Sequence, residues 1–242
     1  MMLYMQKARE ILDKIESTQS EPIHAAADLI ARSLIKNGVW HVFGAGHSHL
    51  IAEEAYARMG GLAPVSAMLF PPLMLHEGPV SARRMARIPG IARVLFDRAD
   101  LRPGEVLTII SNSGKEAVPI ETALLAREKG VSTVALTSLA QARLAKNSPG
   151  FNVQLCEICD VVIDNCTSEE DAALKITGTE SLVAPLSTLA GVAIIQQITY
   201  LVARAFVESG REAPVFRCAH IAGGEQWNAR LVQVFGARAN LR

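Results

Sequence analysis

Val106-Leu107-Thr108-Ile109-Ile110-Ser111-Asn112-Ser113-Gly114-Lys115-Glu116-Ala117 is the run on which the reading of this chain turns. Its first five residues are uncharged and mostly β-branched, the composition of a parallel strand buried on both faces. From Ala117 to Lys129, the apolar residues Val118, Ile120, Ala123 and Leu124 recur at helical spacing, and Gly130 ends the pattern. Two serines, an asparagine and a glycine therefore occupy a strand-to-helix turn. Small hydroxyl side chains and backbone N–H groups converge at such a turn, and the helix N-terminus adds partial positive charge. An anion, phosphate above all, is the natural guest. Taken alone, the same residues also read as an ordinary N-capping loop.

A second strand, turn and helix precede it. Val39 to Phe43 reads as a strand, and Gly44-Ala45-Gly46 lets the backbone turn sharply and approach a ligand. Ser48 is placed to cap a helix that the pattern extends to about Met59, ahead of Gly60-Gly61. A dinucleotide fingerprint would need a third glycine where His49 stands, so no nicotinamide cofactor is expected. Further strands are predicted at Val131 to Thr137 and Cys159 to Asp164, with a short helix from Leu139 to about Lys146 between them. Strands alternating with helices predict a parallel sheet covered on both faces, with ligands gathered at the strands' carboxyl ends. Both loops lie at such ends.

The two loops resemble those of the sugar isomerase (SIS) domain family. Ser111-Asn112-Ser113-Gly114 is similar to that family's Ser-x-Ser-Gly-x-Thr phosphate loop, with Lys115-Glu116 in place of x-Thr and one hydroxyl missing. His41-Val42-Phe43-Gly44-Ala45-Gly46-His47-Ser48 is similar to its first loop, a strand followed by Gly-x-Gly-x-Ser. The run through Glu53-Glu54, Gly60-Gly61-Leu62-Ala63-Pro64 and Leu75-His76-Glu77-Gly78 resembles a bacterial single-domain SIS subfamily to which no substrate is assigned. The resemblance implies an α/β fold: a three-layer αβα sandwich around a mainly parallel, flavodoxin-like five-stranded sheet. It also implies an N-terminal helical arm at 1–37 and a phosphosugar-binding domain at 38–242, a single domain overall. A phosphorylated sugar would be held by Gly44, Gly46, His47, Ser48, Ser111, Asn112, Ser113 and Gly114, and the protein would be a homodimer or homotetramer.

Aldose–ketose isomerisation needs a base to carry a proton between adjacent carbons and an acid to open the ring. His47, His49, Glu53, Glu54, His76 and Glu77 stand near the loops, and of these Glu54, His76 and Glu77 are taken as the catalytic groups. Neighbouring helical residues point about 100° apart, so only one of Glu53 and Glu54 is expected to face the cleft. Two other activities fit a phosphosugar ligand. One is the lyase or etherase type that acts on N-acetylmuramic acid 6-phosphate, whose longer glutamate motif is not matched here. The other is a non-catalytic phosphosugar sensor. His47-x-His49 with Glu53 has metal-like spacing but does not reproduce the zinc ligands of phosphoheptose isomerases, so no metal is expected.

Composition excludes several classes. The chain has 242 residues, 50% of them hydrophobic, enough for one sizeable core. Basic and acidic residues balance at 24 each and aromatic residues make up 5%, so neither a phosphate-backbone footprint nor base-stacking platforms point to nucleic acid. Cys156-x-x-Cys159 invites a redox or zinc reading, but no second such pair follows, Cys166 and Cys218 lack the spacing, and all four cysteines read as buried, reduced thiols. Met1 to Glu16 has no long apolar core of a signal peptide. Leu182 to Val207 is the longest apolar stretch, but Gln196, Gln197 and Arg204 suit a bilayer poorly. It reads as a helix from about Ser181, apolar around much of its circumference and covered by the N-terminal arm or a second subunit. A cytoplasmic protein with no membrane partner is expected. Elsewhere the pattern predicts one or two helices over 5–37 with a polar break at Ser17 to Glu21, and an irregular excursion over 69–98 whose Arg83, Arg84, Arg87 and Arg93 meet a second phosphate or stay solvated, the latter preferred. The polar connection over 165–179 follows a strand's carboxyl end, which makes it a site candidate as well as a solvated link.

Overall fold

Five parallel strands form the predicted sheet: β1 (Trp40–Gly44), β2 (Val65–Ala67), β3 (Val106–Ile110), β4 (Ser132–Thr137) and β5 (Val161–Asp164), in the order β2-β1-β3-β4-β5. The computed structural model describes residues 2–144, 146, 148 and 150–241. Trp40 lies opposite Val106 and Gly44 opposite Ile110, so β1 and β3 end level with each other. The order reverses between them. Chains leaving β1 and β3 therefore diverge to opposite sides and open a crevice at their carboxyl ends, where ligands of such sheets bind.

Alternation along the strands divides the core in two. Trp40, Val42, Val106, Ile110, Val134 and Leu136 face one side with α1 (Leu3–Ile35), α2 (Ser48–Glu54) and α8 (Ser187–Glu208). Phe43, Leu107, Ile109 and Ala135 face the other, with α4 (Ile91–Arg98), α5 (Ala117–Glu128) and α7 (Leu155–Ile158). The result is the three-layer αβα sandwich. Trp40, fully buried, donates through Nε1 to Thr108 Oγ1 at 2.9 Å, which satisfies its one polar atom.

Several elements differ from the sequence-based expectation. α1 runs unbroken through Pro22, although a break was expected at Ser17 to Glu21. The proline forfeits one helical hydrogen bond, but the buried stripe continues on both sides of it, from Ala8, Ile11 and Ile15 to Ile23, Ala26 and Ile30. α2 stops at Glu54 rather than near Met59; Ala57 then takes a left-handed φ of 49°. Ser48 is the first residue of that helix rather than its cap, a position held by His47 without a side-chain hydrogen bond. Residues 69–98 are not irregular: they hold 3-10 turns at Pro71–Leu73 and Leu75–Glu77, α3 (Pro79–Met85) and α4. α6 (Leu139–Leu144) begins as expected, while its predicted end near Lys146 runs across Ala145, outside the described residues.

The polar connection after β5 contains an antiparallel hairpin, β6 (Ala172–Lys175) with β7 (Leu182–Pro185), which also takes the first residues of the predicted long helix. Asp171 Oδ1 accepts the backbone N–H groups of Leu186 (3.1 Å) and Ser187 (2.8 Å), so α8 starts at Ser187. α8 is long and apolar enough to cross a membrane by length and composition, but the core helix of a soluble protein passes the same test, and 50% of its most apolar window is buried. Of the two covers considered for its apolar excess, α1 supplies one: Ile11, Ile15, Ile23 and Ile30 share a cluster with Ile194, Ile195, Ile198 and Val202. The last helix is α9 (Gly224–Phe235).

Candidate functional site

A cleft of about 290 Å³ opens between the β1–α2 and β3–α5 turns. Ala45, Gly46 and His47 line it from the first turn, Ser111 and Glu116 from the second, and Leu75, Pro79, Ala82 and Arg83 from the segment that crosses above. This is the crevice at the reversal of strand order.

Glycines set its floor. A Cβ on Gly44 would stand 2.4 Å from the Ser48 carbonyl oxygen, so only glycine lets the start of α2 lie this close to β1. Gly46 has a φ of 59° and donates its N–H to Leu73 O at 2.8 Å, tying the first turn to the crossing segment. In the second turn Gly114 has a φ of 62°, and its N–H reaches Ser111 Oγ at 3.3 Å. Ser48 and Ser113 make no side-chain hydrogen bond among the described residues, which leaves both hydroxyls available to a ligand. Asn112 is braced by its neighbours: its Oδ1 accepts from Asn165 Nδ2 (2.8 Å) and its carbonyl from Thr137 Oγ1 (3.0 Å) and Ser138 N (3.0 Å). Asn165 was not singled out in the sequence; its role depends on β5 lying beside β4.

The titratable groups separate. Glu54 Oε1 accepts from Gln196 Nε2 at 2.8 Å and pairs with Arg58, so this carboxylate is turned toward α8 and does not line the cleft. Glu53 is exposed on the next helical position, with Oε1 3.9 Å from His49 Nε2. His49 is buried, and its Nδ1 is hydrogen-bonded to the Gly46 carbonyl. The His76 ring stands edge-on to His49 with centroids 6.3 Å apart, and its Nε2 lies 3.7 Å from Glu77 Oε1. Both rim side chains are more than half exposed, at 61% and 53%. His47 lines the cleft itself. Among the described residues, no group of three or more His, Cys, Asp or Glu side chains is placed to hold a metal.

Two charged residues enter the cleft that the sequence reading did not put there. Glu116 precedes α5, and Arg87 clamps it, with Nε 3.0 Å and 3.3 Å from its two carboxylate oxygens. Arg83, which the sequence left to a second phosphate or, preferably, to solvent, lines the cleft too. The Gly78-Pro79 step, a helix-start signal, could have placed it on a short helix facing the loop.

At the amino end of the sheet lies a second, closed constellation. The Glu105 carboxylate accepts from Val39 N (2.9 Å), Arg102 N (2.9 Å), His41 Nε2 (3.0 Å) and Arg238 (2.7 Å). Burial alone would raise its pKa; the hydrogen bonds from His41, Arg238 and the Arg102 backbone prevail and hold it at about 2. His41 Nδ1 is buried without a partner.

The SIS domain family matches residues 3–138. A UPF0309 protein of Caldanaerobacter subterraneus subsp. tengcongensis is 38% identical over 241 residues, spanning 98% of this chain and 97% of its own. Another, from Geobacillus kaustophilus, is 35% identical over 235 residues, spanning 97% and 94%. Among solved structures, a phosphoheptose isomerase of Neisseria gonorrhoeae aligns with a TM-score of 0.56 at 19% identity, covering 84% of this chain and 96% of that one. The sugar isomerase domain of an RpiR transcription factor from Sphaerobacter thermophilus aligns at 0.50 with 18% identity, covering 96% and 94%. At such identities these structures share the fold.

Proposed function

The chain belongs to the SIS domain family, and from that premise we propose that it binds a phosphorylated sugar in the cleft and interconverts its aldose and ketose forms. The observation that carries this reading is the pair of unengaged hydroxyls, Ser48 and Ser113, on the two turns that meet at the reversal of strand order. The phosphate sits against Ser111, Ser113 and the Gly114 turn, with Ser48 contributing from the first loop. The sugar then extends toward the rim, where His47, His76 and Glu77 gather.

Proton transfer between adjacent carbons falls to this rim group. Glu116 is left out of that group because Arg87 already engages both its oxygens. Loss of the true base lowers the rate by about 10²–10⁴-fold with the ligand still bound. The exposure of His76 and Glu77 suits an active form, a homodimer or larger, in which a second copy closes the cleft. Light scattering at micromolar concentration tests that assembly.

The test of the function is a thermal-shift screen of aldose and ketose phosphates against the purified protein, followed by NMR of any stabilising sugar. A shift upward with one or a few of them, and appearance of the isomeric sugar, is expected. No stabilisation by any sugar phosphate sinks the binding reading; stabilisation without product leaves the binding and removes the isomerase.

A further inference from the structure

We propose that Arg83 is the direct counter-charge for the ligand's phosphate, and that the Arg87–Glu116 pair exists to mask a carboxylate that would otherwise repel it. This rests on the phosphosugar reading above and names how that site holds its anion.

The starting point is a shortage of donors. A helix N-terminus binds phosphate through its first free N–H groups. At α5 the first three positions are Ala117, Val118 and Pro119. Val118 gives its N–H to the Ala86 carbonyl at 3.0 Å, and Pro119 has none. Ala117 alone among the three keeps a donor for a ligand. In the turn before the helix the Gly114 N–H is also taken, directed at Ser111 Oγ. These engaged donors leave a dianion fewer amides than an open helix start would offer.

Glu116 makes the electrostatics worse. Its carboxylate lines the same cleft as Ser111, where a phosphate would meet a like charge. Arg87 answers that charge with contacts of 3.0 Å and 3.3 Å to its two oxygens, so the pair is close to neutral as seen from the cleft. Arg83 stands four residues earlier on the same crossing segment. It lines the cleft and makes no hydrogen bond or ion pair among the described residues, so its charge is uncompensated there. The backbone bond from Val118 to Ala86, which removes one helix donor, is also what pins the segment carrying Arg83 and Arg87 against the loop. One contact thus replaces an amide donor with a guanidinium, which can present two parallel N–H groups to phosphate.

The experiment is calorimetric titration of the full chain with inorganic phosphate, and with any sugar phosphate that stabilises it, for wild type and five variants. Arg83→Ala should weaken phosphate by about ten- to a hundredfold with an unchanged melting temperature, since Arg83 is exposed and makes no hydrogen bond or ion pair among the described residues. Arg87→Ala should weaken it too, and Arg87→Ala with Glu116→Gln should recover to within about threefold of wild type, because the unmasked charge is then gone. A merely structural Arg87 would give no such recovery. Glu116→Gln alone should bind at least as well as wild type. If Ser111→Ala with Ser113→Ala abolishes binding while Arg83→Ala does not change it, the phosphate reading stands and this inference fails. An unrescued Arg87→Ala overturns the masking role. A wild type that takes neither inorganic nor sugar phosphate overturns both readings at once.

Discussion

The two ends of the sheet handle polar groups in opposite ways. At the amino end, Glu105 is 3% exposed and receives donors from Val39, His41, Arg102 and Arg238. At the carboxyl end, the Ser48 and Ser113 hydroxyls and the Arg83 guanidinium have no partner among the described residues. A buried carboxylate left unpaired is severely destabilising, so the amino end must be closed for the fold to exist. Hydroxyls and a guanidinium held open to water cost little on folding and keep their bonding capacity for a ligand. The difference separates residues that keep the chain folded from residues that give it something to do.

Removing Glu105 should produce the largest effect. Glu105→Ala strips a partner from His41, Arg238 and two backbone N–H groups at once, and about 3–5 kcal/mol of stability should be lost. Urea denaturation measures it. Ser111→Ala with Ser113→Ala should do the reverse, removing phosphate binding while costing no more than about 1 kcal/mol of stability, for the Gly114 N–H that Ser111 Oγ accepts. The contrast between the two ends breaks if either change moves the other's readout by a comparable amount.

Acid should reveal the same asymmetry at a smaller scale. Glu105 is held at about 2 in the folded chain against an ordinary value of 4.5. A carboxyl whose folded pKa is depressed contributes stability that is fully present above the unfolded value and is lost as the pH falls toward the folded one. The shift corresponds to about 3 kcal/mol, present at neutral pH and lost between about pH 4.5 and pH 2. Stability measured across that window should therefore fall for wild type and flatten in Glu105→Gln. An identical slope in both would place the acid sensitivity elsewhere, Asp100 being the next carboxylate to examine, since its hydrogen bonds to Arg102 and Arg238 also hold it at about 2.

How much of this was legible in the sequence follows the same division. β1, β3 and β4 are buried nearly throughout, and so read as short runs rich in apolar and β-branched residues and free of Asp, Glu, Lys and Arg, whose identity needs no partner to be known. The two turns were legible because glycine is required there by local geometry, at Gly44 for close approach and at Gly114 for a left-handed φ. Elements defined by distant partners were not. The β6–β7 hairpin merged into the apolar run of α8, because the signal that separates them is Asp171, which caps the helix from 16 residues away. α3 and α4 are only seven and eight residues long and rich in arginine, about two turns each, too short a window for the period to be read among the flanking Pro and Gly. Glu116 was missed as a site residue, and Arg83 was given to solvent in preference to a phosphate, because the two come to one cleft only once the crossing segment has folded over the loop.

Glu54 offers the smallest expected effect and the sharpest test of the division, because it lies in sequence beside the first turn yet belongs in structure to the packing of α2. Its Oε1 is shared between Gln196 on α8 and Arg58 one turn on, and only a quarter of its side chain is exposed, at 25%. Glu54→Gln keeps an acceptor for Gln196 and gives up the charge on Arg58, itself 48% exposed, so no more than about 1 kcal/mol of stability should go. Because the carboxylate does not line the cleft, the affinity for phosphate and the turnover of any sugar that the screen identifies should stay within about threefold of wild type. His76→Asn, at the rim, should instead lower turnover with binding retained, if proton transfer falls to His76 within that group. A loss of about 10²-fold or more in Glu54→Gln, with phosphate still bound, would mean that this carboxylate swings from α8 into the cleft during the reaction, and the base would have to be returned to it.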